Sequence, residues 1–248
     1  MQKVGVITQA RMTSTRLPAK VMIEIAGRTM LDHHLDRLAW SDLPIYIATT
    51  TNDVDDPIVE RARSRGLGVH RGSEHDVLAR FHECAEANAL DVVVRVTSDC
   101  PLIDGQVVAD AVDRFTARDD DWLYLSNGLD RTFPRGLDLE VFSAAALADA
   151  SRNATDRAQR EHVTPHLYAA DNTRMTQEHL YWREDASAFR VTLDTADDLE
   201  VIRRLIEEHS AHELGCADLI ALLEYHPEIT TVNTHVEQRR LDDRTGPA

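Results

Sequence analysis

Arg11, Arg16 and Lys20 fall within one stretch of ten residues, with Thr13, Ser14 and Thr15 among them. They follow directly on the apolar run Val4-Gly-Val-Ile-Thr8. Two forked guanidinium groups and one compact ammonium suit an anion with several oxygens, and three cations match a triphosphate better than a monophosphate. The hydroxyls can fill the remaining acceptor sites. The stretch lacks the glycines of GxxxxGK[ST] and of GxGxxG, so it is neither a P-loop nor a dinucleotide fingerprint. On composition alone it reads equally well as a solvated basic loop paired with surface carboxylates.

Two aspartates add to this pattern. Asp99 follows Val92-Val-Val-Arg-Val-Thr97, and Asp194 follows Phe189-Arg-Val-Thr-Leu193. Carboxylates at strand ends on the phosphate side suit Mg²⁺, which takes one or two of them together with phosphate oxygens and water. Taken singly, Asp99 also reads as a turn residue bonding its own backbone. Asp194 also reads as a helix N-cap, a duty Thr195 can share. Together with the basic loop, the pair favours metal and triphosphate. His162 and His166 have helical metal spacing, but no third ligand is evident and Pro165 intervenes, so zinc is not expected. His33-His34 reads as helix surface, and Asp53-Val-Asp55 and Asp119-Asp-Asp121 read as surface turns.

These residues need a scaffold, and the pattern of the chain supplies one. Strands are expected at Val4–Thr8, Ile45–Thr49, Leu67–His70, Val92–Thr97, Trp122–Leu125, Leu139–Phe142 and Phe189–Leu193. Helical spacing appears at Met30–Leu38, Pro57–Arg65, Val77–Ala87, Val107–Phe115 and after Asp194, where Thr195 and Asp198 have capping-box spacing. Arg157–Ala169 is helical in pattern but must break or kink at Pro165. The alternation implies α/β architecture, a mostly parallel central sheet with helices on both faces. In such sheets ligands bind beyond the carboxyl ends of the strands, where the basic loop falls. One domain over 1–236 is expected, with 122–170 as a small inserted lobe and 237–248 as a polar tail.

The bulk numbers bound the function. The chain has 248 residues, a formal charge of −16 and 43% hydrophobic residues. So acidic a surface disfavours nucleic acid as a partner and makes a local basic site necessary for any small anion. No run of about 18 apolar residues suggests a membrane span. The sequence enters a strand pattern at once, without a secretory leader, so a cytoplasmic protein is expected. Cys84, Cys100 and Cys216 show no CxxC spacing and read as reduced thiols.

The segments "QARMTSTRLPAKVM", "RVTSDCPLID", "GLDLEVF", "REHVTPHLY" and "RVTLDTADDLEVIRRL" resemble the cytidylyltransferase family. The likeness is to the group related to the CMP-Kdo and CMP-sialate synthetases, in the branch of spore-coat polysaccharide biosynthesis protein F. It implies a nucleotidyltransferase fold of glycosyltransferase-A-like type, CTP, Mg²⁺ and transfer of CMP to an acceptor with loss of pyrophosphate. By position, Arg11, Arg16 and Lys20 would hold the triphosphate, with Arg11, Lys20 and Asp99 catalytic, and Asp99 and Asp194 would ligate Mg²⁺. Gln9, Ala10, Ser73, Asp76 and Arg80 would surround base and ribose, although Asp76 and Arg80 equally fit an i,i+4 helix pair. Arg135, Asp138, Glu140, Arg160 and His162 would face a small anionic acceptor. The two arginines would hold its anionic group, the acids its hydroxyls, and His162 would polarise the attacking hydroxyl. Alternating Leu137, Leu139 and Val141 equally fit an amphipathic strand with its polar side in water. A homodimer is expected on the same ground. Relatives carry LPGK where this chain has LPAK, so Ala19 occupies a position where a positive φ would favour glycine. The same architecture also serves glycosyltransferases, or a nucleotide-binding protein without turnover.

Overall fold

A computed structural model describes residues 2–237. The β-branched run near the start forms β1 (Val4–Gln9), with Val6 and Ile7 fully buried on opposite faces. A loop and a short turn lead to the two-residue hairpin strands β2 (Glu24–Ile25) and β3 (Arg28–Thr29), then to α1 (Met30–Leu38). Thr29 and Asp32 close a capping box on α1, satisfying its first free N–H groups. Then follow β4 (Ile45–Thr50), α2 (Asp56–Ser64), β5 (Gly68–Gly72), α3 (Val77–Ala87), β6 (Val92–Thr97) and α4 (Gly105–Thr116). The second half contributes β7 (Leu123–Ser126), β8 (Glu140–Ser143), α5 (Ala144–Asn153), α6 (Arg157–His162), β9 (Thr176–His179), α7 (Ala196–His209), α8 (Cys216–Tyr225) and α9 (Pro227–Thr230).

Seven strands form one sheet in the order β5-β4-β1-β6-β8-β7-β9. Only β8 runs against the others. The period-two alternation of β6 divides the core. Val92, Val94 and Val96 pack with α1, α2 and α4 on one face, while Val93 packs with α3 and α5 on the other. A third cluster gathers α7, α8 and α9 around Val191 and Leu193. The chain winds outward from β1 to β5 and then returns to β6 on the other side of β1. That reversal opens a crevice beyond the ends of β1 and β6, the switch point where open sheets bind ligands. No helix of the described residues is long and apolar enough to cross a membrane.

Two expectations need correction. Phe189–Leu193 is extended but is no strand of the sheet. Arg190 bridges only to Arg135, and Leu193 N–H donates to the Asp99 carbonyl at 2.7 Å. The run is apolar because Val191 and Leu193 bury against α7, so it shows the alternation of a strand without a strand's neighbours. Trp122–Leu125 and Leu139–Phe142 supply β7 and β8 as expected, and both pair into the main sheet. His33 and His34 are buried, not surface. His34 Nδ1 lies 2.9 Å from the Cys100 carbonyl and Nε2 lies 2.8 Å from Thr8 Oγ1. The expected tail from 237 lies outside the described residues except for Glu237.

Candidate active site

The basic loop leaves β1 at Gln9 and is fixed from below. Met12 N–H donates to Asp55 Oδ1 at 2.7 Å, and Ala19 N–H donates back to the Met12 carbonyl at 2.9 Å. Thr13 Oγ1 donates to Glu74 Oε1 at 2.7 Å, and Asn52 holds the other oxygen of Glu74 at 2.7 Å. These two hydrogen bonds, ahead of the charge of Arg11, keep the Glu74 carboxyl below its ordinary range. Arg11 Nη1 stands 3.9 Å from Glu74. Ala19 has φ 55°, the left-handed region in which glycine is unstrained, so the LPAK departure falls on a position that does require it. The turn at Ala19 directs Lys20 inward, where it is 8% exposed.

Lys20 is the centre of the site. Its Nζ donates to Asp99 Oδ2 at 2.9 Å, Asp194 Oδ1 at 2.8 Å and the Leu193 carbonyl at 2.6 Å. Burial opposes the charge on Lys20, but the two carboxylates outweigh it and raise the pKa. Burial likewise opposes ionisation of Asp99. The Lys20 charge, with hydrogen bonds from Thr97 and Lys20, holds its carboxyl at about 2. Arg16 and Arg190 reach Asp194 Oδ2 at 2.9 and 3.0 Å. Asp194 does not cap α7, because Thr195 does so in a capping box with Asp198. Its carboxylate is left to face the cations.

The carboxylates of Asp99 and Asp194 converge on one point, held by an ammonium in this structure. That hard-oxygen pair fits Mg²⁺ in kind. No cluster of three or more His, Cys, Asp or Glu residues suited to a metal occurs among the described residues. An ion bound there would take two anionic donors from the protein and the rest from ligand oxygens and water, the usual arrangement for Mg²⁺.

One cleft gathers Gln9, Ala10, Arg11, Arg16, Lys20 and Arg80 with Thr97–Asp99 and Asp194. His162 and Glu161 form part of its wall. Two residues expected beside the nucleotide do not line it. Ser73 Oγ accepts from the N–H groups of His75 and Asp76 and shapes the turn into α3. Asp76 caps α3, accepting from Ala79 N–H at 2.9 Å, and pairs with Arg160. The alternative Asp76–Arg80 helix pair is also not formed, because Arg80 turns inward and donates to the Ser73 carbonyl at 3.0 Å.

A second cavity adjoins the first, and Thr97 lines both. Asp138 and Glu140 line it with Arg95, Tyr124, Ser126 and Tyr168. Glu140 pairs with Arg95 and accepts from Tyr124 Oη at 2.5 Å and Thr164 Oγ1 at 2.6 Å. The polar side of β8 is thus a closed network and does not face open water. Asp138 pairs with Arg131 and accepts from Gly136 N–H at 2.8 Å. Gly136 has φ 107°, and a Cβ there would lie 2.6 Å from the Val191 backbone, so the RGLD sequence packs only with glycine. Arg135 lines neither cavity. Its half-buried guanidinium makes no ion pair among the described residues, and burial, with Arg131 close by, lowers its pKa. Arg160 is taken by Asp76 and the Ser151 carbonyl, the latter at 2.6 Å, and so ties α6 to α3 and α5. α6 ends before Pro165 in a tight reversed turn: Val163 has φ 74° and ψ −59°, and Thr164 N–H donates to the His162 carbonyl at 2.9 Å. That turn leaves His162 at the first cavity and brings Thr164 to Glu140, which lines the second.

Several residues of the site escape sequence reasoning. Asp55 and Glu74 hold the loop, Arg190 steadies Asp194, and Arg95 lines the second cavity. Arg95 and Arg190 left a signal, each as a lone charge inside an apolar run.

The family model described as Cytidylyltransferase matches residues 5–224. The spore coat polysaccharide biosynthesis protein SpsF of Bacillus subtilis (strain 168) is 31% identical over 245 residues, covering 93% of this chain and 98% of its own. A cytidylyltransferase structure from Leptospira borgpetersenii superposes with a TM-score of 0.88 at 31% identity, over 97% of this chain and 100% of that one. CMP:2-keto-3-deoxy-manno-octonic acid synthetase, solved in complex with CTP, shares the fold with a TM-score of 0.59 at 18% identity, over 83% of this chain and 99% of its own.

Proposed function

This chain belongs to the cytidylyltransferase family, and on that premise we propose that it is a cytoplasmic, Mg²⁺-dependent enzyme transferring CMP from CTP to a hydroxyl of a sugar acid or similar anionic acceptor. The observation that carries the proposal is Lys20, clasped between Asp99 and Asp194 on the wall of the first cavity. The triphosphate lies along the basic loop. Arg11 and Arg16 hold its outer oxygens, and Lys20 donates to the α-phosphate as charge builds there. Asp99 and Asp194 would hold Mg²⁺, which would supply positive charge to the phosphates. The acceptor oxygen forms a bond to the α-phosphorus, the bond to the bridging oxygen breaks, and pyrophosphate leaves with that electron pair. His162, on the wall of the cleft, takes the proton of the attacking hydroxyl.

Asp138 and Glu140 orient acceptor hydroxyls from the second cavity, and Arg135, which forms no ion pair among the described residues, is the arginine available to the acceptor's anionic group if it turns toward that cavity. Ser73, Asp76 and Arg160 act one step back, fixing the start of α3 and the place of α6. A homodimer belongs to the same reading, since Leu129 and Tyr181 are large apolar side chains left exposed in the second half of the chain. Light scattering at twice the chain mass is the expected result.

The test is pyrophosphate release from CTP with Mg²⁺ and a panel of sugar acids that includes 3-deoxy-manno-octulosonate. Release that requires all three components is expected. Consumption of a nucleotide-sugar without CTP would refute the proposal, and so would no release with any sugar acid.

A further inference from the structure

We infer that Asn233 is a positioning residue for the metal: through Asp198 and Arg190 it holds the Asp194 carboxylate in the orientation that can accept Mg²⁺. The inference rests on the Mg²⁺ and CTP reading above. It adds a residue that lies beyond the family-matched stretch 5–224.

Asn233 closes a short turn, Thr231–Asn233, that follows α9 and packs against α7. Ile229, fully buried in the third core cluster, anchors the chain just before it. Asn233 lines neither cavity, yet it is only 2% exposed. Its Nδ2 donates to the Arg190 carbonyl at 3.1 Å and to Asp198 Oδ1 at 2.8 Å. A carbonyl and a carboxylate only accept, so the amide nitrogen faces both and uses both of its hydrogens. A buried amide is kept where its hydrogen bonds are made, and these two converge on the residues behind Asp194.

Asp198 is the junction. Its carboxylate is fully buried, and the Arg190 fork lies on it, with Nε 2.8 Å from Oδ1 and Nη2 3.1 Å from Oδ2. Burial opposes its charge, but hydrogen bonds from Arg190 and Asn233 outweigh this and hold the carboxyl below its ordinary range. Asp198 Oδ2 also accepts from the Asp194 N–H at 3.0 Å, and Arg190 Nη2 reaches on to Asp194 Oδ2 at 3.0 Å. Asp194 is thus held twice from Asp198, at its backbone directly and at Oδ2 through Arg190. Its Oδ1 is left to point at Lys20, where Asp99 converges. A carboxylate fixed at its backbone and at one oxygen presents the other in a set direction, and outer partners of this kind are worth about 10–100-fold in metal affinity. Without Asn233 the Arg190 carbonyl is no longer tied to the Asp198 carboxylate. The guanidinium can then follow Asp194 instead of Asp198, where its charge competes with a metal cation.

The experiment is titration calorimetry of the full chain with CTP, with and without Mg²⁺. It reads the factor by which Mg²⁺ tightens CTP, which by linkage is the factor by which CTP tightens the metal, and wild type should give about tenfold or more. Asn233→Ala should bind CTP without Mg²⁺ within about threefold of wild type, while its Mg²⁺ factor falls about tenfold. Thr231→Ala is the control. It removes the 2.7 Å bond from Thr231 Oγ1 to the Pro227 carbonyl in the same turn and touches neither Asp198 nor Arg190. It should lower the melting temperature and keep the wild-type Mg²⁺ factor. A turn that mattered only for stability would treat the two variants alike. If Asn233→Ala does not fold, Asn233→Ser keeps one donor, must give up one of the two acceptors, and should show the same loss in smaller measure. An undiminished Mg²⁺ factor in the Asn233 variant overturns the inference, as does an equal fall in Thr231→Ala. Failure of the underlying reading shows in wild type instead, as no CTP binding or as binding indifferent to Mg²⁺, and it takes the inference with it.

Discussion

His34 makes the floor of the site sensitive to acid. It is completely buried between Thr8, at the end of β1, and the Cys100 carbonyl, next to Asp99. A carbonyl only accepts, so Nδ1 carries the proton and Nε2 accepts from the Thr8 hydroxyl. Charging the ring would place a second N–H against Thr8 without water. Burial, only partly offset by the bond to Cys100, pushes the pKa down from 6.5 to about 4. Between those values the unfolded chain holds a proton on this side chain that the folded chain does not. Unfolding then takes up a proton, and stability falls as pH falls. The contribution is intact above pH 6.5 and declines through the window to about pH 4. At about 1.4 kcal/mol for each pH step, the whole window is worth roughly 3 kcal/mol. Urea denaturation from pH 7.5 to pH 4, for wild type and for His34→Gln, isolates this term, because the other histidines titrate in both. Wild type should lose about 3 kcal/mol more than the variant across the window, even though the variant starts lower at pH 7.5. Parallel curves would refute the reasoning.

Three other perturbations test separate parts of the structure. Lys20→Met should reduce turnover by about a hundredfold or more, the scale seen when a preorganised charge-stabilising donor is lost. The same variant should bind Mn²⁺ without nucleotide more tightly than wild type, since the ammonium no longer occupies Asp99 and Asp194; unchanged turnover in a rate assay would remove Lys20 from the chemistry. Glu140→Ala leaves Arg95 buried without its carboxylate and should cost about 3–5 kcal/mol in chemical denaturation. Ala19→Gly relieves a left-handed alanine at the cost of a looser unfolded chain, and should raise stability by up to about 1 kcal/mol; a clear fall in melting temperature would contradict that account.

What the sequence disclosed about this fold and site depended on how far apart the interacting residues lie. Arg11, Arg16 and Lys20 were legible because they share one loop, and the loop because it follows a strongly apolar strand. Asp99 and Asp194 were legible because each ends an apolar run. The residues that hold the loop were not, since Asp55 meets Met12 across 43 residues and Glu74 meets Thr13 across 61. Phe189–Leu193 was misread because alternation reports which side chains are buried, not which backbone lies alongside. β9 was missed for the opposite reason: Thr-Gln-Glu-His is polar and lies at the sheet edge, so it has no apolar face to announce it. His34 could have been placed correctly. It stands three residues after Leu31 and four after Met30, on the helix stripe that faces the core.

Arg160 shows why site residues are harder to read than strands. From the sequence, an arginine beside His162 serves equally well as an acceptor ligand or as a structural cation. Spacing cannot decide, because a chain with 43 acidic residues offers many partners. The choice is made by burial and reach. Asp76 needs its carboxylate at the start of α3, and Arg160 arrives there from α6 across 84 residues of chain, with Ser151 supplying a third contact. Arg135 receives no such carboxylate among the described residues, although it too has acidic neighbours in sequence. A guanidinium already held by a buried-edge carboxylate must break that contact before it can bind a ligand, whereas one without a carboxylate has less to give up. The same reasoning separates Arg80 from Arg160. It favours Arg135 and Arg80, which form no ion pair among the described residues, over Arg160 as ligand-binding arginines, whereas Arg16 and Lys20 must exchange Asp99 and Asp194 for substrate oxygens.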